Sequence, residues 1–149
     1  MERPSRDDYY MSIARTVSTR SNCVKRQVGA IVVVNDMIVA TGYNGTPRSY
    51  PNCFDGGCPR CADTKLASGE RIEECIYVHA EQNCITHAAK RGSALEFGHM
   101  YCLLAPCITC SKLIINAGIV SMYVDDASYK SNGLELLKAC GVRVVTYAG

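Results

Sequence analysis

Two short segments of the 149-residue chain combine residue types that bind metal ions and move protons. The first contains His79 and Glu81, and the second contains Cys107 and Cys110 directly after Pro106. Zinc in catalytic sites takes three protein ligands and leaves the fourth tetrahedral position for water. His79, Cys107 and Cys110 provide such a set, and a neighbouring carboxylate can take up and release protons. These residues therefore predict a zinc centre that activates water.

Both segments are predicted to lie at the start of a helix. The pattern of residues 79–91 indicates one helix, and Pro106 is typical of the first position of the next. Residues three apart share a helix face, so Cys107 and Cys110 can bind one ion. The partial positive charge of a helix N-terminus favours their thiolate form. Glu81 is expected beside the metal rather than on it.

The motif H-x-E followed later by P-C-x-x-C is the signature of zinc-dependent deaminases. Two other interpretations are a structural zinc site and a chance cysteine pair beside a core histidine. A lone C-x-x-C would not distinguish these from a catalytic site, but the histidine, glutamate and proline in their places favour catalysis.

The order of predicted elements is one helix, two strands, and then alternating helices and strands, which indicates a mixed sheet covered by helices. We expect a single domain over residues 1–149. The formal net charge of +2 argues against a nucleic-acid polymer as partner. No apolar run reaches the roughly 18 residues of a membrane span, and the charged N-terminus is not a secretory signal. We therefore expect a cytoplasmic protein, in which the ten cysteines favour metal binding over disulfides.

The chain resembles the deoxycytidylate deaminases of the cytidine deaminase-like superfamily, and their fungal, eukaryotic and viral members most closely. The resemblance covers nearly the whole length and is carried by residues 21–23, 28–30, 41–47, 52–61, 79–83, 106–114 and 117–119. The chain departs from the family at Cys84, where alanine is common. We interpret Cys84 as a small buried hydrophobic residue.

The resemblance implies a three-layer α/β/α sandwich around a five-stranded mixed sheet, assembled as a homo-hexamer. It implies that His79, Cys107 and Cys110 hold zinc, and that Glu81 shuttles protons while water replaces the amine of dCMP. The product would be dUMP, a precursor for thymidylate synthesis. Many members of the family are activated by dCTP and inhibited by dTTP.

Substrate contacts are also expected from the resemblance. Asn44 is expected to contact the sugar or base, and the backbone N–H of Ala80 to donate to the pyrimidine. Tyr129 either stacks on the base or packs structurally. Three cations near family segments are candidates for phosphate binding, with a solvated surface role as the alternative: Lys25, Arg26 and Arg48.

Five further cysteines predict a second, structural zinc site, as several relatives have at the corresponding place. Cys58-x-x-Cys61 has zinc-ligand spacing, and the long loop that contains it needs a clamp to become ordered. We predict Cys23, Cys53, Cys61 and Cys75 as ligands, with Cys58 as the substitute. The alternative is a set of reduced, unliganded thiols.

Other functions remain as alternatives. The nearest is a dual enzyme that also accepts dCTP, followed by tRNA adenosine, guanine, blasticidin or polynucleotide cytidine deaminases. A non-catalytic nucleotide sensor belongs to another class, and the presence of Glu81 argues against it because a pure binder needs no proton shuttle.

Overall fold

A mixed sheet forms the centre of the chain. The computed structural model describes residues 1–67, 69–126 and 131–147. Its strands are β1 (Gly29–Val34), β2 (Met37–Tyr43), β3 (His99–Leu104), β4 (Ser121–Asp126) and β5 (Arg143–Thr146). They form one five-stranded sheet in the order β2-β1-β3-β4-β5. β1 is antiparallel to β2 and β3, whereas β3, β4 and β5 are parallel, so the predicted mixed sheet is confirmed.

Helices cover both faces of this sheet. They are α1 (Arg6–Ser18), α2 (Pro59–Ala62), α3 (Ala80–Arg91), α4 (Ile108–Asn116) and α5 (Gly133–Ala139). On one face Met11 and Ala14 of α1 pack against Ile31 and Tyr101. Helices α3, α4 and α5 supply the core of the opposite face. The three-layer sandwich is therefore confirmed, and no helix in the described ranges is long and apolar enough to cross a membrane.

The interior position of β1 in the sheet explains why its sequence is almost entirely aliphatic. It lies between β2 and β3 with both faces covered, so successive side chains enter different cores. Ile31 belongs to the α1 side and Val32 to the opposite side, and both are fully buried. A continuous apolar run is the pattern that such a strand requires.

Helix α3 lies directly against β2 because Gly42 has no side chain. A Cβ atom at this position would overlap with the carbonyl oxygen of Ala80 and the backbone nitrogen of Cys84. The close approach fixes the first turn of α3 on the sheet. It therefore also fixes His79 and Glu81, which flank Ala80.

The segment between β2 and α3 is irregular, as predicted, apart from α2 and two short 3-10 turns at Cys53–Asp55 and Ile72–Glu74. An isolated bridge between Gly45 and Val78 brings its two ends together. Its interior is formed by sulfur rather than by aliphatic side chains. The buried members of this cluster are Cys23, Cys53, Cys58 and Cys61.

Candidate active site

The starts of α3 and α4 meet and bring together the three predicted ligands of the first zinc site. The Nδ1 atom of His79 lies 3.6 Å from Cys107 Sγ and 3.3 Å from Cys110 Sγ. One ligand atom from each residue lies within 4.8 Å of the other two. Residues from two separate segments of the sequence thus form one compact donor group.

The helices begin slightly later than the sequence predicts. His79 and Cys107 are N-cap residues with extended backbone, and Pro106 precedes the cap instead of opening the helix. The physical reason is that each cap residue makes a hydrogen bond with the residue three positions later while its backbone stays extended. Cys107 Sγ accepts a hydrogen bond from the Cys110 backbone N–H at 3.4 Å, and the His79 N–H donates to Gln82 at 2.8 Å.

The donor group fits a zinc ion. With zinc bond lengths of about 2.0 Å to nitrogen and about 2.3 Å to sulfur, tetrahedral N and S ligands lie about 3.5 Å apart. The two nitrogen–sulfur distances from His79, 3.6 and 3.3 Å, are close to this value. One imidazole and two thiols are also the donor types that zinc prefers, and they leave a fourth position open.

Electrostatics at the two helix starts favours a thiolate. The hydrogen bond with the Cys110 thiol lowers the pKa of Cys107 to about 4, and contacts with His79 and the Cys110 N–H contribute against the effect of burial. The same thiol contact and burial raise the pKa of Cys110, while the hydrogen bond with Cys107 raises the pKa of His79. The protein contacts thus favour one thiolate, and a divalent cation favours the second because metal binding displaces thiol protons.

Glu81 lies in the first turn of α3 and is 5% exposed. Burial raises the pKa of Glu81 to about 7, although its own backbone N–H and the nearby His79 act in the opposite direction. A carboxyl group with a pKa near neutrality both accepts and donates protons at physiological pH. Glu81 is not a member of the group formed by His79, Cys107 and Cys110.

A cavity of about 510 Å³ has Glu81, His79 and Cys107 in its wall. This volume is within the range of roughly 300–1,000 Å³ that is typical of small-molecule sites. Four of the residues predicted to contact substrate line it: Lys25, Arg26, Asn44 and Ala80. Arg48 is exposed and does not line the cavity, and Tyr129 lies outside the described residues.

The Asn44 side chain is largely engaged by the protein. Its Oδ1 atom accepts hydrogen bonds from the Val28 N–H at 2.9 Å and from the Ser21 hydroxyl at 2.6 Å. Its Nδ2 atom donates to the carbonyl oxygen of Arg26 at 2.8 Å. Asn44 therefore fixes the segment before β1 against the end of β2. One N–H of the amide remains for a ligand, so the substrate contact stays a prediction.

The second cysteine cluster contains three of its four predicted ligands. The sulfur atoms of Cys23, Cys53 and Cys61 all lie within 4.8 Å of one another, and Cys75 lies outside this group. Cys58, the predicted substitute, is fully buried in the same cluster, and Cys75 packs against it. The structure thus assembles a three-thiol group with two further cysteines beside it.

Sequence reasoning missed two residues of this region, Tyr77 and Arg60. The hydroxyl of Tyr77 lies 3.5 Å from Cys61 Sγ, and burial followed by contacts with the Cys23, Cys53 and Cys61 thiols raises the pKa of Tyr77. Arg60 is buried and lines the cavity. The one sequence feature that could have indicated burial of Arg60 is its position between Cys58 and Cys61 in the C-P-R-C motif. Cys84, by contrast, is fully buried as predicted.

The sequence profile of the cytidine and deoxycytidylate deaminase zinc-binding region matches residues 4–125. The chain belongs to this deaminase family. The deoxycytidylate deaminase of Saccharomyces cerevisiae is 42% identical to it over 144 residues, which cover 95% of the chain and 45% of the yeast protein. The deoxycytidylate deaminase of Schizosaccharomyces pombe is 40% identical over 97% of the chain and 45% of that protein. The chain therefore spans about half the length of these curated relatives.

A solved structure of a family member agrees with this assignment. The dCMP deaminase of the cyanophage S-TIM5, crystallised in complex with dCMP and dUMP, is 32% identical to the chain and superposes with a TM-score of 0.80. The match covers 99% of the chain and 100% of the phage protein. The chain and the phage protein thus share one fold over nearly their full lengths.

Proposed function

We propose that this protein is a zinc-dependent deaminase that hydrolyses dCMP to dUMP and ammonia. The observation that carries the proposal is the buried carboxyl group of Glu81, which lines one cavity together with His79 and Cys107 of the donor group. The yeast relatives and the phage structure, which are named as deoxycytidylate deaminases, support dCMP as the substrate. We take residues 1–149 as one catalytic domain.

Each part of the reaction has a residue suited to it. Zinc held by His79, Cys107 and Cys110 would lower the pKa of water to about 7 and so make a nucleophile available at neutral pH. Glu81 takes up one proton from the attacking water and delivers it to the ring nitrogen. It then takes the second proton from the same oxygen, now bound to C4, and gives it to the amine, which leaves as ammonia while the C4 carbonyl forms. The backbone N–H of Ala80 holds the pyrimidine at the start of α3.

Sugar and phosphate bind further along the cavity wall. We assign the free N–H of Asn44 to the sugar or base, and the exposed cations Lys25 and Arg26 to the entrance, where they attract the anionic substrate. Arg48, which does not line the cavity, and Tyr129, which lies outside the described residues, stay predictions.

A substrate panel tests the reaction. The purified protein is incubated separately with dCMP, dCTP, cytidine, guanine and a tRNA anticodon stem, and ammonia release is measured. We expect dCMP to be converted to equimolar dUMP and ammonia faster than any other compound. Comparable release from dCTP would indicate a dual enzyme, and release from only guanine or tRNA would contradict the proposal. Absence of ammonia from every substrate, with dCMP still bound, would favour a sensor.

We also propose a second, structural zinc bound by Cys23, Cys53 and Cys61, with Cys75 or Cys58 as fourth ligand. The three grouped thiols support it, as does a loop of residues 44–78 whose interior consists mainly of cysteine. The metal would stabilise this loop because its ligands are assembled only in the folded chain.

Replacement of Cys53 by Ser is expected to lower the zinc content from two ions per chain to one and to lower the Tm. Elemental analysis and thermal unfolding measure the two effects. Cys140→Ser is the matched control, because Cys140 is exposed and belongs to neither cysteine group. A zinc content of one ion per chain in the wild type that stays at one in Cys53→Ser would exclude the second site.

Assembly and regulation follow from the family resemblance alone. We propose a homo-hexamer in the cytoplasm that is activated by dCTP and inhibited by dTTP. Sedimentation and the dCMP assay with each nucleotide added test these points.

A further inference from the structure

Arg60 is one of two buried charged side chains in the described part of the chain. Arg60 is 7% exposed and Glu81 is 5% exposed, and both line the cavity described above. The other two cations of the cavity wall, Lys25 and Arg26, are exposed. Solvent stabilises the charge of these two residues, whereas Arg60 has little contact with solvent.

The guanidinium of Arg60 is held but not neutralised. Its Nε–H donates to the carbonyl oxygen of Glu70 at 2.8 Å, which fixes the plane of the group. Among the described residues, no carboxylate forms a salt bridge with it, and its two Nη groups form no hydrogen bond. A charge with little solvent contact is stabilised by a partner of opposite sign, and an anionic ligand in the cavity that Arg60 lines would supply one.

We propose that Arg60 is the specificity-determining residue that binds the 5′-phosphate of the nucleotide substrate. This inference rests on the proposed function, since it assumes that a nucleotide occupies the cavity. A guanidinium with both Nη groups free forms paired, charge-assisted hydrogen bonds with phosphate oxygens. Arg60 would thus select nucleoside monophosphates over nucleosides, while Glu81 acts at the base.

The competing explanation is that Arg60 offsets the negative charge of the cysteine cluster. Cys58 and Cys61 flank it in sequence, and the Cys75 thiol is near enough to feel its charge. In that case Arg60 would support metal binding and loop stability, and the phosphate would be bound by other residues. The two explanations differ in what a substitution does to ligand discrimination.

Binding of dUMP and deoxyuridine, which differ only in the phosphate, measures that discrimination. In Arg60→Gln, the Kd for dUMP should rise by about 10- to 100-fold, the range expected for lost hydrogen bonds to a charged group. The Kd for deoxyuridine should stay unchanged, and KM for dCMP should rise more than kcat falls. Arg60→Lys should retain part of the dUMP affinity. Arg71→Gln is the control, because Arg71 is exposed and pairs with Glu74 in the same loop.

Equal weakening of dUMP and deoxyuridine, or unchanged dUMP affinity in Arg60→Gln, would overturn the proposal. Loss of one zinc ion together with unchanged dUMP discrimination would assign Arg60 to the cysteine cluster instead. If Arg60→Gln fails to fold, Arg60→Lys provides the test. In that variant, a wild-type ratio of dUMP affinity to deoxyuridine affinity together with a lower zinc content would contradict phosphate binding. The two proposals can fail separately. If the wild type binds dUMP more tightly than deoxyuridine, Arg60→Gln loses this preference, and the wild type releases no ammonia from dCMP, only the proposed function is refuted.

Discussion

Replacement of Glu81 by Gln is expected to lower kcat for dCMP by about 10⁴-fold, the upper range for loss of general acid–base catalysis. Glutamine has nearly the shape of glutamate, but its neutral amide neither accepts a proton from water nor donates one to the leaving amine. The effect is large because one carboxyl group carries every proton transfer in the proposed reaction. Ammonia release at saturating dCMP measures it.

Zinc content separates loss of catalysis from loss of the site in this experiment. Glu81 is not part of the ligand group, so Glu81→Gln should bind as much zinc as the wild type. Its Tm should not fall, because the substitution removes a buried ionisable group without leaving a partner charge behind. Glu135→Gln, on the exposed surface of α5, should have wild-type activity. Full activity of Glu81→Gln would mean that the mechanism is wrong.

The residues that could be predicted from the sequence are those whose chemistry depends on local spacing. His79 and Glu81 lie two apart at the start of α3, and Cys107 and Cys110 lie three apart at the start of α4. Such spacing determines which side chains meet once a helix forms, whatever the rest of the fold does. The β-branched run of residues 28–34 predicted a strand for the same local reason.

The exact helix starts could not be predicted, because the site competes with the helix for the same groups. Pro106 is of a residue type that is common at the first helical position, which is why the sequence predicts that it opens α4. Instead Cys107 uses its sulfur to accept the N–H of Cys110 and remains outside the helix. This cap depends on the hydrogen-bonding ability of the cysteine sulfur, which the spacing of apolar residues in the sequence does not reveal.

Burial within the loop of residues 44–78 could not be predicted either. Arg60 and Tyr77 are residue types that usually stay at the surface or reach it with a polar tip. Their burial depends on the path of a segment that contains few regular elements and is organised around cysteine sulfur. For the same reason the sequence could name five candidate thiols, but it could not determine which three would meet.

The buried charges suggest how the cavity distinguishes the two ends of a nucleotide. Glu81 adjoins the donor group of His79, Cys107 and Cys110, where we propose that the base reacts, and Arg60 lies in the loop of residues 44–78 and lines the same cavity. Both charges are desolvated, so both interact with ligand more strongly than exposed groups do. In the proposed mechanism, proton transfer depends on Glu81 in α3 and phosphate recognition depends on Arg60 in α2, so a substitution can alter one without the other.

Replacement of Cys110 by Ser is expected to remove the zinc ion between α3 and α4 and to reduce deamination to background. Cys110 is fully buried, and its sulfur lies 3.3 Å from His79 Nδ1, so its loss leaves two ligands, His79 and Cys107. A serine hydroxyl stays protonated near neutral pH and does not supply the anionic sulfur that zinc binds. The zinc content should fall by one ion per chain, as measured by elemental analysis.

The same substitution should also lower the Tm, because an ion that binds only the folded chain stabilises it by mass action. Cys140→Ser, at an exposed position, should retain zinc, Tm and activity. If Cys110→Ser does not fold, wild-type protein treated with a zinc chelator replaces it: activity should disappear and return when zinc is added. Activity that survives chelation, or a Cys110→Ser protein with full zinc content and turnover, would show that these helix starts do not form the reactive centre.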